Sequence, residues 1–165
     1  MTSMQWREMT ADEVALVEAM ADVIHEDHPE DPAVFAERQR LHPGGCLILE
    51  LNGEPSGYAL THPWIYGAPP ALDVMLEAIP ANADCYHIHD VALLSTARGT
   101  GAASAGVQAI IDHARALGFQ RMTLVAVNDT VPFWSRFGFT IDESPALAAK
   151  LATYAGHARH MSMAL

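Results

Sequence analysis

Two histidines separated by a single residue are the side chains of this sequence best suited to move a proton near neutral pH. They lie in the apolar run YHIHDVAL, residues 86–93, which predicts a strand. Strand alternation predicts one face with His87, His89, Val91 and Leu93 and the other with Ile88, Asp90 and Ala92. The two imidazoles therefore share a face and could act as a base or bind a metal ion. Metal catalysis is not expected, because no other histidine or cysteine has a spacing that supplies a third ligand.

The predicted strand runs directly into a glycine-rich turn and then into an amphipathic helix. The first turn of a helix leaves backbone N–H groups without partners, and the helix dipole favours an anion there. Gly99 and Gly101 let a phosphate approach these amides, and Arg98 can add a charge-assisted contact. Apolar residues at helical spacing follow, namely Val107, Ile110, Ile111, Ala114 and Leu117. The junction predicts a phosphate site.

Two common nucleotide-binding motifs do not describe this turn. A GxGxxG fingerprint needs a third glycine or alanine three positions after Gly101, where the sequence has Ser104. No GxxxxGK[ST] element is present either. The Rossmann and Walker types of nucleotide site are therefore disfavoured.

Other strands and helices are predicted on both sides of this junction. Strands are predicted at Met4–Met9, Cys46–Leu51, 57–61 and Arg121–Val127, with a hairpin turn at Asn52-Gly53. Thr10 and Glu13 predict a capping box before a first helix, whereas Pro132 and Gly138 suit the start and end of a short late helix. The expected order is β-α-α-β-β, an insert over 62–85, and then β-α-β-α-β-β.

Length and composition predict one cytoplasmic domain over residues 1–165. A chain that is 50% hydrophobic can bury one substantial core at this length. No apolar run reaches the ~18 residues of a membrane helix, and no signal peptide is recognised at the N-terminus. The two cysteines have no spacing of a disulfide framework or a thiolate metal site. We expect a reduced protein with no membrane partner.

The net charge excludes one class of partner. Twenty Asp and Glu against nine Lys and Arg give a formal net charge of −11. Such a surface repels nucleic acid, and no basic stripe with interleaved aromatic residues is present. An acidic surface is typical of solubility and can also attract a cationic amine.

The motif Arg98-x-x-Gly101-x-Ala103 resembles the Q/R-x-x-G-x-G/A signature of the GCN5-related N-acetyltransferases, whose loop binds the pyrophosphate of acetyl-coenzyme A (acetyl-CoA). The element order and the pair Gly138-Phe139 are also similar to that family. The resemblance implies an α/β (α+β) acyl-CoA N-acyltransferase fold, with a mixed central sheet of about seven strands and about four helices. It also implies acetyl-CoA as the cofactor. The residues expected to bind the cofactor are Val91, Ala92, Leu93, Arg98, Gly99, Thr100, Gly101, Ala102, Ala103, Asn128 and Phe133.

Three of these residues have distinct expected roles. In the family-like mechanism the strand backbone near Leu93 donates an N–H to the thioester oxygen. Asn128 matches the position that contacts the pantetheine arm, and Phe133 packs against that arm or against the core.

The histidine strand is similar to that of the arylalkylamine N-acetyltransferases, in which a histidine pair helps to take a proton from the amine. The match carries this role to His87 and His89. An alkylammonium with a pKa near ~10 must lose a proton before it attacks, and an imidazole with a pKa near ~6.5 can accept that proton. Asp90 is the alternative base, or it orients an imidazole.

The general acid of the family is absent from its usual position. Many members carry a tyrosine four residues before the glycine of the Gly-Phe pair, and this sequence has Trp134 there. A thiol with a pKa near ~8.5 leaves tolerably as thiolate, which reduces the need for an acid. Tyr154 is the expected replacement and Ser135 a poorer one, whereas Trp134 is expected to be structural.

The acceptor is expected to be a small-molecule primary amine, aryl or alkyl. Residues 62–85 lie where an insert could form part of its pocket, with Trp64, Ile65 and Tyr66 as lining. The same exposed aromatics could instead form a homodimer contact. A protein or peptide N-acetyltransferase, and an acyl-CoA sensor without catalysis, are the alternative functions.

Overall fold

Seven strands form one mixed sheet in the computed structural model, which describes residues 3–26, 30–127, 129–142, 144–151, 154 and 158–165. The strands are β1 (Met4–Glu8), β2 (Cys46–Leu51), β3 (Glu54–Trp64), β4 (Cys85–Leu93), β5 (Arg121–Ala126), β6 (Thr140–Ile141) and β7 (Arg159–Ala164). Their order across the sheet is β1-β2-β3-β4-β5-β7-β6, and only β4 and β5 pair in parallel. The predicted mixed sheet of about seven strands is confirmed.

Five α-helices lie in the described part of the chain, where about four were expected. They are α1 (Val14–Ile24), α2 (Pro32–Leu41), α3 (Ala102–Ala116), α4 (Val131–Ser135) and α5 (Pro145–Lys150). The short helix α5, between β6 and β7, is the one that the sequence did not predict. The capping box is confirmed, since the Glu13 carboxylate accepts the Thr10 backbone N–H at 3.0 Å.

Helices cover both faces of the sheet. The apolar stripe of α3 packs with strand residues Tyr86, Ile88, Met122 and Leu124 in one buried cluster. Helices α1 and α2 pack on the opposite face, through Val17, Met20, Ala21 and Phe35 against Ile48, Tyr58 and Leu60. No helix in the described ranges is long and apolar enough to cross a membrane.

Strands β4 and β5 pair over only three positions before they separate. The paired residues are Tyr86 with Met122, His87 with Thr123 and Ile88 with Leu124. Strand β4 then continues to Leu93 while staying paired with β3 through Gly57. The sheet is therefore open beside the last five residues of β4, and the glycine-rich turn lies at the end of this opening.

A β-bulge interrupts β4 at His89. Leu60 of β3 pairs with Asp90, whereas the next residue, Thr61, pairs with Ile88, so His89 is the extra residue. A bulge turns two successive side chains toward similar directions. His89 contacts Glu30 and Asp90 contacts Tyr58, so both side chains lie on the α1/α2 side of the sheet.

The predicted alternation along β4 is therefore correct through His89 and wrong from Asp90 onward. Asp90 shares the face of the histidines, and so does Ala92, which packs in the α1/α2 cluster. Val91 and Leu93 instead pack on the α3 side, Val91 against the α3 cluster and Leu93 against Ala97 and Ala102. The physical reason is the bulge, which shifts the period of two by one residue.

Close packing between β1 and α3 fixes the start of α3. The Trp6 indole N–H donates to the Ala102 carbonyl at 2.9 Å. Gly106, one turn along α3, lies so close to this indole that a Cβ would be 2.6 Å from Trp6 Cε2. Only glycine allows this approach.

We predict that Gly106→Ala lowers the free energy of unfolding by about 1–2 kcal/mol, because the overlap with Trp6 outweighs the higher helix propensity of alanine. Urea unfolding measures the change. Ala109→Ser, at an exposed position of the same helix, is the control and should change stability by less than about 0.5 kcal/mol. A stabilised Gly106→Ala protein would contradict the packing described.

Candidate active site

The glycine-rich turn forms an open cradle at the start of α3. Gly99 and Gly101 adopt φ angles of +76° and +84°, and no other atom lies within 4 Å of where a Cβ would sit on either residue. The Thr100 hydroxyl donates to the Ala97 carbonyl at 2.6 Å and accepts the Ala102 N–H at 3.3 Å. The following first-turn amides have no carbonyl partner within the helix and suit an anion.

A cavity of about 360 Å³ lies against this cradle. Its lining is formed by Leu93, Ala97, Arg98, Gly99, Gly101, Ala102, Ala103, Ser104, Phe133 and Arg136. Seven of the predicted cofactor-binding residues are among them, and Thr100 lies in the same turn. Val91 and Ala92 pack in the two core clusters instead, and Asn128 lies outside the described residues.

Sequence reasoning did not predict Ala97, Ser104 and Arg136 as lining residues. Arg136 follows Phe133 by three positions, and its guanidinium carbon lies 5.2 Å from the Phe133 ring centroid. A signal for Arg136 was available, because residues three apart on a helix share a face.

His87 is fully buried, at the part of β4 that still pairs with β5. Its Nδ1 atom lies 2.9 Å from Thr123 Oγ1, and its ring centroid lies 5.6 Å from that of His62. Burial, with further effects from neighbouring histidines, holds the pKa of His87 well below its usual value. The imidazole is therefore neutral and poorly suited to hold a proton.

His89 forms a buried pair with Glu30. Its side chain is 1% exposed, and Nε2 lies 2.9 Å from Glu30 Oε1. A carboxylate accepts only, so His89 donates from Nε2 and carries its lone pair on Nδ1, a buried atom without a hydrogen-bond partner. Burial raises the pKa of Glu30, but the His89 hydrogen bond and charges nearby prevail and lower it to about 2.

Asp90 lies beside this pair on the same face. Its Oδ2 atom accepts from the Tyr58 hydroxyl at 2.6 Å and lies 3.0 Å from His25 Nε2. The hydrogen bond to Asp90 raises the pKa of His25. The alternation expected from sequence put Asp90 and His89 on opposite faces of the strand. It also did not predict that Glu30 contacts His89.

The two residues considered at the acid step lie in different environments. Trp134 is buried and packs edge-on against Phe133 and Phe139, as expected for a structural residue. The Tyr154 hydroxyl donates to the Pro70 carbonyl at 2.9 Å, and burial raises the pKa of Tyr154 above its usual value. Tyr154 therefore retains its proton at neutral pH.

The insert predicted at 62–85 spans residues 65–84, because β3 continues to Trp64 and β4 begins at Cys85. At one end of this insert, Glu37 accepts the backbone N–H groups of Leu76 and Glu77, and Arg38 donates to the Val74 carbonyl. At the other end, Lys150 donates to the Gly67 carbonyl at 2.8 Å, and Tyr154 reaches Pro70. The insert therefore bridges α2 and the region before β7.

Two of the three aromatic or apolar residues proposed as pocket lining lie near the buried histidines. Trp64 packs edge-on against His62 with ring centroids 5.4 Å apart, and Tyr66 packs against His160 at 6.1 Å. Tyr66 also lies 4.0 Å beneath the Arg121 guanidinium.

Among the described residues, no group of three or more His, Cys, Asp or Glu is arranged to hold a metal ion.

Comparison with known proteins identifies the class to which this fold and site belong. Residues 5–139 match the acetyltransferase (GNAT) family. The chain belongs to this family: it is an acetyltransferase, and acetyl-CoA is its cofactor. No curated protein sequence gives a match.

Several solved structures share the fold at low sequence identity. Ard1 from Thermoplasma volcanium is 16% identical with a TM-score of 0.74, and the match covers 98% of this chain and 97% of Ard1. Arabidopsis thaliana Naa50, in complex with the bisubstrate analogue CoA-Ac-MVNAL, is 12% identical with a TM-score of 0.73 and 99% coverage of both chains. N-acetylglutamate synthase from Neisseria gonorrhoeae is 18% identical with a TM-score of 0.72, covering 99% of this chain and 35% of the synthase.

The residues around the cradle fit acetyl-CoA. Open space at Gly99 and Gly101, the unpaired first-turn amides and the guanidinium groups of Arg98 and Arg136 all suit a polyanionic group. The cavity beside them extends to Leu93 on β4, next to the opening between β4 and β5.

We predict that the free energy of unfolding falls as the pH is lowered through the histidine range near ~6.5, well above the pH at which carboxyl groups usually titrate. Burial lowers the pKa of His62 to about 3 and of His42 to about 4, and it also lowers the pKa of His160 and holds that of His87 well below its usual value. Their stabilising contribution is complete above the unfolded histidine pKa of ~6.5 and is lost as pH falls, because the unfolded chain then binds protons that the folded chain does not. His25, whose pKa is raised, acts in the opposite direction.

Urea unfolding at pH 7.5 and at pH 5.5 tests this prediction. His62, His42 and His87 together predict a loss of about 3–4 kcal/mol between these values, to which the lowered pKa of His160 adds and which the raised pKa of His25 offsets in part. His62→Asn should reduce this pH dependence by about a third. An unfolding free energy that is constant over this range would show that the buried imidazoles are protonated in the folded protein.

Proposed function

We propose that this acetyltransferase acts on the primary amine of a small molecule, which attacks the acetyl thioester directly. Acetyl-CoA supplies the activated acetyl carbonyl and a thiolate leaving group. The observation that carries the proposal is the buried His89–Glu30 pair, which gives a lone pair at Nδ1 on the α1/α2 face. The acyl-CoA sensor without catalysis is less well supported, because binding alone does not require a carboxylate-oriented base.

The cofactor-binding residues proposed are those of the cradle and the β4 backbone. The amides of residues 98–103 and the Arg98 guanidinium hold the pyrophosphate, and Leu93 and Phe133 contact the rest of the cofactor. A backbone N–H of β4 near Leu93 faces the developing oxyanion. The separation of β4 from β5 after Ile88 supports this assignment, because it leaves room beside that backbone. Val91, Ala92 and Asn128 remain sequence-based predictions.

His89 is the proposed proton acceptor. Its Nδ1 takes the ammonium proton, directly or through one water molecule, while Glu30 holds the ring and stabilises the imidazolium. His87, neutral and bonded to Thr123, keeps the shape of the pocket rather than accepting the proton. Tyr154 is the proposed acid, because its hydroxyl keeps its proton at neutral pH; its raised pKa makes it a weak donor, which suits a thiolate that can also leave unprotonated.

Charge on the α1/α2 face favours an amine that carries no carboxylate. Glu30, Glu37 and Asp90 contribute three acidic side chains, against Arg38 and a partly exposed His25. An ammonium group is attracted to this face, whereas a carboxylate next to the amine is repelled. The insert also contacts both α2 and α5, through Arg38 and Lys150, which leaves less room for an extended peptide.

Structural neighbours include proteins of both acceptor types. Naa50 is bound to a peptide-containing analogue, and the synthase is complexed with coenzyme A and N-acetyl-glutamate. The insert and the acidic face favour the small-molecule acceptor here.

We further propose a single cytoplasmic domain over 1–165, and a homodimer remains a prediction.

Matched pairs of acceptors test the proposed substrate class. We expect thiol release from acetyl-CoA with phenethylamine or tyramine to exceed that with phenylalanine or tyrosine by at least about 10-fold in kcat/KM, because only the amino acids carry a carboxylate. Short peptides with free N-termini are the third arm. Peptides as the sole acceptors would overturn the small-molecule assignment, and release without any acceptor preference would contradict the charge argument.

His89→Gln should lower kcat by about 100-fold, because the amide cannot accept the ammonium proton, while the Kd for acetyl-CoA stays within about twofold. Glu30→Gln should lower kcat less than His89→Gln, because the amide oxygen still orients the ring but cannot stabilise an imidazolium. His113→Gln, on α3, is the control. An unchanged kcat in His89→Gln would move the base role to Asp90.

A further inference from the structure

The cavity beside the cradle has a charge unlike that of the rest of the protein. The whole chain has nine Lys and Arg against 20 Asp and Glu. The cavity lining described above contains two arginines, Arg98 and Arg136, and none of the acidic residues. This local excess of positive charge indicates a binding site for a ligand with several negative charges.

The two arginines approach the cavity from different elements. Arg98 belongs to the glycine-rich turn and lies with the amides that are proposed to hold the pyrophosphate. Arg136 directly follows α4 and is exposed. Its guanidinium carbon, 5.2 Å from the Phe133 ring centroid, is attracted to the face of that ring, which orients it within the lining.

Coenzyme A carries one phosphate group in addition to its pyrophosphate. Its pyrophosphate occupies the amides and Arg98 under the proposed function, and a separate phosphate monoester on the adenosine ribose remains. A monoester carries nearly two charges at neutral pH and binds well to an arginine fork. Arg136, across the cavity from the turn and open to solvent, is the cationic group left for it.

We propose that Arg136 binds the 3′-phosphate of coenzyme A and makes the protein prefer coenzyme A to dephospho-coenzyme A. The proposal rests on the proposed function only in placing the pyrophosphate at the cradle. Phe133 is a positioning residue for this guanidinium.

Calorimetric titration of the full chain with coenzyme A and with dephospho-coenzyme A tests the proposal. The unmodified protein should bind coenzyme A about 10-fold more tightly. Arg136→Gln should lose that preference, through a higher Kd for coenzyme A and a Kd for dephospho-coenzyme A that changes by less than about twofold. Arg115→Gln, an exposed site on α3 with the same charge change, should keep the preference.

The other outcomes are separable. Equal weakening of both nucleotides by Arg136→Gln would place Arg136 on the pyrophosphate and overturn the 3′-phosphate assignment. No effect of Arg136→Gln, or the same effect in Arg115→Gln, would also overturn it. Failure of the unmodified protein to bind either nucleotide would overturn the proposed cradle together with this assignment. Thermal unfolding of each variant should match the unmodified protein, which excludes loss of folded protein as the cause.

Discussion

The brief pairing between β4 and β5 is the constraint on which the site depends. Three residue pairs join the strands, and beyond Ile88 they separate while β4 stays attached to β3. This separation exposes the edge of β4 that leads into the glycine-rich turn. Helix α3 can begin at this point because Gly106 lets it approach Trp6 closely. A sheet that remained paired to its end would leave the cradle without access to the middle of the sheet.

Burial divides the histidines into two groups with different chemistry. His62 and His87 pack within the α1/α2 face, where desolvation favours the neutral form. His25 meets the carboxylate of Asp90, whose hydrogen bond raises the pKa of His25, whereas His89 donates to Glu30, which orients its ring. Neighbouring imidazoles on a single strand and its partners can therefore differ in function. The pair that looked equivalent in sequence, His87 and His89, is separated by what surrounds each ring.

Much of the fold could be predicted because its signals are local. Strand β2 was predicted with its observed bounds, and the capping box at Thr10 forms as expected. The turn around Gly99 and Gly101 was also recognisable, since positive φ angles and helix N-termini leave clear traces in sequence. Helix α5 and the full length of β3 were missed, because their stability depends on packing against β7 and β4 rather than on a strong local pattern.

The sequence alone determined the order of the strands and of the helices other than α5, the glycine-rich turn and the histidine strand, because each depends on residues close together in the chain. Only the tertiary structure decided the partners. The bulge at His89 arises from the register between β3 and β4, and it reverses the face predicted for Asp90. Glu30 meets His89 across 59 positions, and the Trp6 indole meets the Ala102 carbonyl across 96. Such contacts depend on how helices pack on the sheet, and spacing in the sequence does not encode them.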